Sequence, residues 1–180
     1  MAWNKSQLGK SAVHGFTGLA LAALFAFAFS GCKIKYTMSG ASTTGLKTVS
    51  VQYFQNRASI VQPQLSQTLT DALIDKCKAQ TSLGIVNGLG DVNFEGEITD
   101  YSSKPMTVSA DAQAATNRFT ISVKVKFTNS VDPNNSFEQT FTRYEDYNSA
   151  YDLSAVASEL TPKIIDQIVE DIFNKAFVNW

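Results

Sequence analysis

The chain has 180 residues, 44% of them apolar, with 15 Lys and Arg set against 16 Asp and Glu. That near-balance gives no support for a nucleic-acid binder, which would show a basic excess or stripe. The length allows one domain with a sizeable core of its own. The only histidine is His14, and the only cysteines are Cys32 and Cys77. Beyond residue 31 there is therefore no His for a Ser-His-Asp or Cys-His arrangement or for a His-based metal site, and the composition argues against an enzyme.

The N-terminus carries Lys5, Lys10 and His14 and no acid, followed by the apolar run Phe16–Cys32, FTGLALAALFAFAFSGC. A basic start, a short apolar stretch and small residues before a cut site make a signal peptide. The run is short for a membrane span, which needs about 20 apolar residues. Ser30-Gly31-Cys32 resembles the lipobox of bacterial lipoproteins, although Phe29 stands where Leu is common. That resemblance implies cleavage between Gly31 and Cys32, a diacylglycerol on the Cys32 sulfur and an acyl (palmitoyl) chain on its new amino group. Two or more chains anchor stably where one is marginal. Residues 1–31 are then the signal peptide. Their loss removes two lysines and no acid, leaving 149 residues with a net charge of −3. Cys77 would be the last free thiol, with no partner for an intramolecular disulfide. It sits on an apolar helical stripe, as a small buried hydrophobe would.

Residues 32–47 read as the lipidated N-terminus and a polar tether rich in Ser, Thr and Gly. Lys33, not an acid, follows Cys32, which favours the outer membrane under the enteric sorting rule. Residues 48–180 form the single domain. Thr48–Phe54 is a strand with Val49, Val51 and Tyr53 on one side. Pro63–Gln80 is a helix: Pro63 suits its first turn, and Leu65, Leu69, Leu73 and Cys77 recur at every fourth position. Ile85-Val86 reads as a short extended piece. Asn87–Asp91 is a turn cluster whose Gly-Leu-Gly lacks the Lys-Ser/Thr of a phosphate loop.

Val92–Ser103 alternates Val92, Phe94, Gly96 and Ile98 against Asn93, Glu95, Glu97, Thr99 and Tyr101. Asn117–Asn129 alternates Phe119, Ile121, Val123, Val125 and Phe127 against a polar set containing Lys124 and Lys126. Sequential strands tend to pair, so Glu95 and Glu97 should share a wet face with Lys124 and Lys126 as a charge ladder, not act as an acid–base pair. Phe137–Tyr147 is the fourth strand, with Phe137 and Phe141 inward and Tyr144, Tyr147 and Tyr151 gathered near its end. Leu153–Phe177 is helical; Pro162 should kink it or restart it, with the main helix over Pro162–Phe177. Trp180 should be packed down. The order β-α-β-β-β-α gives an α+β two-layer sandwich: a four-stranded, mainly antiparallel sheet covered on one face by two helices.

The lipobox and the segments KTVSVQYFQNRA, PQLSQTLTDAL, DVNFEGEITDYS, NRFTISVKVKFTN, FEQTFTRYEDY and IVEDIFNKAFVNW, in this order, resemble the LptE family of lipopolysaccharide-assembly lipoproteins over residues 32–180. The resemblance implies a non-enzymatic outer-membrane lipoprotein without cofactor or metal. It would plug and help assemble the LptD β-barrel and support lipopolysaccharide placement in the outer leaflet. Its partners would be the LptD-type barrel, lipopolysaccharide and, through the lipid, the membrane, with no nucleic acid. Some members bind lipopolysaccharide through basic residues. Lys104, Arg118, Lys124 and Lys126 are candidates here because lipid phosphates need cations. The alternative is a binding module that activates a cell-envelope synthase or serves a transporter as an accessory subunit.

Overall fold

Alternating apolar residues on three long neighbouring segments demand a sheet with one dry face, and two amphipathic helices supply the cover. The computed structural model shows this arrangement over the residues it describes, 42–60, 62–106 and 115–178. Gly31, Cys32, most of the tether, the 107–114 loop and Trp180 lie outside them. The strands are β1 (Thr48–Val51), β2 (Gln55–Asn56), β3 (Gly84–Ile85), β4 (Val92–Pro105), β5 (Thr116–Asn129) and β6 (Phe137–Asn148). The helices are α1 (Leu65–Gln80) and α2 (Leu153–Phe177), and a 3-10 turn spans Pro133–Asn135. The sheet runs β3-β1-β4-β5-β6, and β2 also pairs with β4. Five strands thus make the core path, not the four expected: the two-residue β3 adds an edge beside β1. The sheet is mixed. β4-β5-β6 is an antiparallel meander, whereas β1, β2 and β3 pair in parallel.

The helices lie on the face formed by Phe94, Ile98, Phe119, Ile121, Val123, Val125 and Phe127. With Leu69, Leu73, Cys77, Ile164, Ile168, Ile172 and Phe173 they build one core. Phe94, Phe127 and Phe177 meet there with ring centroids 4.8 to 6.0 Å apart. Cys77 is fully buried, and burial pushes its thiol up to about 12. Every buried side-chain N and O atom among the described residues has a hydrogen-bond partner.

Two extra residues change which side chains face in. Between Val51↔Phe94 and Gln55↔Glu97 the first strand advances four residues while β4 advances three. Its alternation therefore flips: Tyr53, expected beside Val49 and Val51, is 54% exposed, and Phe54 is buried instead. The Phe54 ring lies over Gly96. A Cβ there would stand 2.9 Å from Phe54 Cε1 and would run into the Lys124 carbonyl oxygen. The second extra residue is Thr99, a bulge between Ile98↔Val123 and Asp100↔Ser122. It turns Tyr101 inward, against the expectation, to meet Phe119 edge-on at 4.8 Å.

Pro162 does not restart a helix. α2 runs through it from Leu153 to Phe177. The proline leaves the carbonyl of residue 158 without its helical donor, but Ser158 and Pro162 are both exposed, so water can replace the missing bond. Nor do the three tyrosines cluster. Tyr144 is on the helix-free face, Tyr147 is buried with its hydroxyl 2.8 Å from Ser103 Oγ, and Tyr151 is in the turn beyond β6.

Candidate interaction face

The helix-free face is built by the residues that alternate with the core. Register places Glu95 opposite Lys126 and Glu97 opposite Lys124, with Lys126 next to Glu138 on β6. The expected charge ladder is therefore present, but its strongest pairs run diagonally as well as straight across. Lys126 Nζ is 2.6 Å from Glu95 Oε1, and Lys124 Nζ is 2.6 Å from Glu138 Oε1. Glu97 reaches instead to Arg57, at 3.9 Å. The hydrogen bond from Lys124 holds the Glu138 carboxyl below the usual carboxylate range, and Glu138 in turn raises the lysine. Lys126 is raised likewise by Glu95. Beside these pairs, Tyr53 and Arg57 close a shallow depression of about 530 Å³ floored by Gly96. Three cations and three carboxylates line it, so it carries no net sign.

The other end of this face is different. Arg118 donates to both oxygens of Asp146, at 2.7 and 2.9 Å, and its guanidinium lies 3.6 Å from the centre of the Tyr144 ring. That fork is the geometry in which Arg recognises a carboxylate best. It raises Arg118 and lowers Asp146 from their ordinary values. Lys104 is directly opposite Arg118 in the β4–β5 register. Lys104 is exposed, and among the described residues no carboxylate forms an ion pair with it. The four basic residues singled out from the sequence thus share one face but form two groups: Lys104 with Arg118, and Lys124 with Lys126. Six residues along β5 separate them, about 20 Å.

The roles of Arg57, Glu138 and Asp146 were not visible in the sequence, because each depends on the register of a strand whose alternation is broken or mixed. Arg143, on β6, points the other way. It donates to both oxygens of Asp171 on α2 at 2.6 and 2.7 Å, and Gln167 bonds Glu145 at 2.8 Å, so polar pairs close the rim of the helical layer. Among the described residues no group of three or more His, Cys, Asp or Glu converges as metal ligands do, and no helix is long and apolar enough to cross a membrane.

Two helices on one side of a mixed sheet, with a self-paired polar surface on the other, define a small two-layer α+β domain. The chain belongs to the LptE lipopolysaccharide-assembly family, whose match spans residues 46–176. Among solved structures it is similar to a protein of Xanthomonas campestris, with a TM-score of 0.52 and 12% identity over 75% of this chain and 85% of that one. It is also similar to a minor lipoprotein of Acinetobacter baumannii, with a TM-score of 0.48 and 13% identity over 72% and 91%. At 12% identity the first likeness concerns the fold alone. No curated protein sequence matches the chain.

Proposed function

We propose that this protein is an outer-membrane lipoprotein, anchored through Cys32 after removal of residues 1–31, that plugs an LptD-type β-barrel and helps it assemble and deliver lipopolysaccharide. The observation that carries this reading is the helix-free sheet face. Its charges are numerous yet largely neutralised among themselves. Such a surface can sit against a polar barrel interior without leaving a field of one sign, and strands that alternate polar and apolar residues give large barrels that kind of interior. Family membership supports the lipopolysaccharide role, and nothing in the chemistry of the face calls for catalysis. Residues 32–47 act as the tether and 48–180 as the plug. Within the plug, Lys104 is the best placed of the four candidate cations, Lys104, Arg118, Lys124 and Lys126, for a lipid phosphate. Among the described residues Lys104 has no carboxylate to give up, whereas Lys124 and Lys126 are each held by a glutamate and Arg118 by Asp146.

Affinity capture of the tagged, lipidated chain from detergent-solubilised outer membranes tests the reading, with photocrosslinkers at Lys124 and Thr142 on the helix-free face. A stoichiometric large β-barrel, crosslinked from both positions, is the expected result. Capture of a cell-envelope synthase or an inner-membrane transporter in its place would assign the protein to the accessory-subunit class.

A further inference from the structure

Several separate pieces of chain meet at one end of the domain. The Ser42 N–H donates to the Phe177 carbonyl at 2.7 Å, so the chain enters the domain beside the C-terminus of α2. Asp91 accepts from the backbone N–H groups of Lys47 and Thr48 at 2.7 and 3.0 Å, which fastens the 87–91 turn to the start of β1. The Ser130 N–H donates to the Asp91 carbonyl at 2.8 Å and brings in the turn after β5. A Cβ on Gly45 would lie 3.8 Å from Val131 Cγ1.

The two turns assembled here carry exposed aliphatic side chains, Leu89 at 87% and Val131 at 53%. Their only acids are occupied locally. Asp91 is bound as described, and Asp132 accepts from the Asn134 N–H and from Asn135 Nδ2. The cations nearby, Lys47 on the entering chain and Lys175 in the last turn of α2, are exposed. Lys33 and Lys35 precede them in sequence. The opposite end of the sheet, where Thr116, Asn148 and Tyr151 lie, is a full 14-residue strand away, about 45 Å.

We infer that the end bearing Leu89 and Val131 docks on the lipid surface, with both side chains entering the interface between headgroups and acyl chains. The inference rests on the anchoring reading of Cys32. Ser42 follows ten residues after Cys32, a reach of at most about 35 Å, so a lipidated Cys32 keeps this end within range of the bilayer at all times. Apolar side chains flanked by lysines, with the local carboxylates occupied by hydrogen bonds within the protein, match an interface containing anionic lipid.

The test uses the full lipidated chain reconstituted in vesicles of phosphatidylethanolamine and phosphatidylglycerol. Leu89→Cys, Val131→Cys and Tyr151→Cys are made singly and labelled with an environment-sensitive fluorophore; the buried Cys77 thiol stays unlabelled. Mass spectrometry of the N-terminal peptide and flotation are run on the same samples. Labels at 89 and 131 should be quenched by shallow spin-labelled phospholipid about threefold or more above the label at 151, as side chains seated at the headgroup boundary are. Lipidated, floating protein with all three positions equally quenched, or all unquenched, overturns the docking while leaving the anchor intact. A chain with no lipid that fails to float overturns the anchoring reading and the docking with it.

Discussion

The inner and outer faces of the sheet are made by alternate residues of the same strands, yet they are held by different physics. Val123 and Val125 are completely buried against the helices, in a layer where shape and dryness set the energy. Lys124, between them, is exposed and satisfied by one carboxylate in water. Burial of an aliphatic side chain of that size stabilises by about 1.5–3 kcal/mol, whereas exposed ion pairs contribute little and are screened by salt. The inner face therefore accounts for folding. The outer face is largely free of that duty and can be shaped for a partner.

Substitutions on the two faces should separate these roles. The largest effect belongs to Val123→Asp, which puts an unpaired charge into the apolar layer. A loss of about 4 kcal/mol or more is expected, enough to unfold the domain, and urea denaturation followed by circular dichroism measures it. Gly96→Ala should come next. Its methyl would press on the Phe54 ring and on the Lys124 carbonyl. Overpacking of this kind costs about 1–3 kcal/mol, read in the same titration.

A smaller effect should follow from Asp91, whose carboxyl is held below its ordinary range by the backbone N–H groups of Lys47 and Thr48. A depressed carboxylate contributes stability that is present above the unfolded-state pKa of about 4 and is lost as pH falls through the lower folded value. Thermal midpoints should therefore fall on acidification below about pH 4, and the fall should be shallower in Asp91→Asn. Equal acid limbs would show that this contact adds nothing. The smallest change in stability is expected for Lys124→Glu on the outer face. Its thermal midpoint should stay close to that of the unaltered protein, while recovery of the proposed barrel partner in affinity capture drops. Unfolding in this variant would remove the distinction between the faces.

Much of this division was legible in the sequence. The fourfold spacing of Leu65, Leu69, Leu73 and Cys77 and the strict alternation of Phe119 to Phe127 identified the buried positions, because burial on one side of a regular element leaves a period. Tyr53, Phe54 and Tyr101 escaped because a bulge inserts one residue without any signature of its own and reverses the facing of everything after it. The short extended piece at Ile85-Val86 was visible and overlaps β3, but its place at the sheet edge was not, because two residues are too few to show a period. The cations of the outer face were found by type. Their partners Glu138 and Asp146 required the register of β6, where Glu138, Arg143, Glu145 and Asp146 stand on both faces and mask the alternation. The cleavage and lipidation residues Gly31 and Cys32 remain a reading of the sequence.

The parallel pairing of β1 with β4 also has a bearing on the order in which the protein folds. The meander β4-β5-β6 is made of strands adjacent in the chain, and its contacts are local. β1 comes first in the chain, but its partner segment follows much later: Thr48 waits for Asp91, 43 residues on. Closing contacts of such sequence separation is slow. The N-terminal strand should therefore be the last to join, after the meander has formed. Until then the unpaired edge of β4 is the place most open to wrong pairing with another chain.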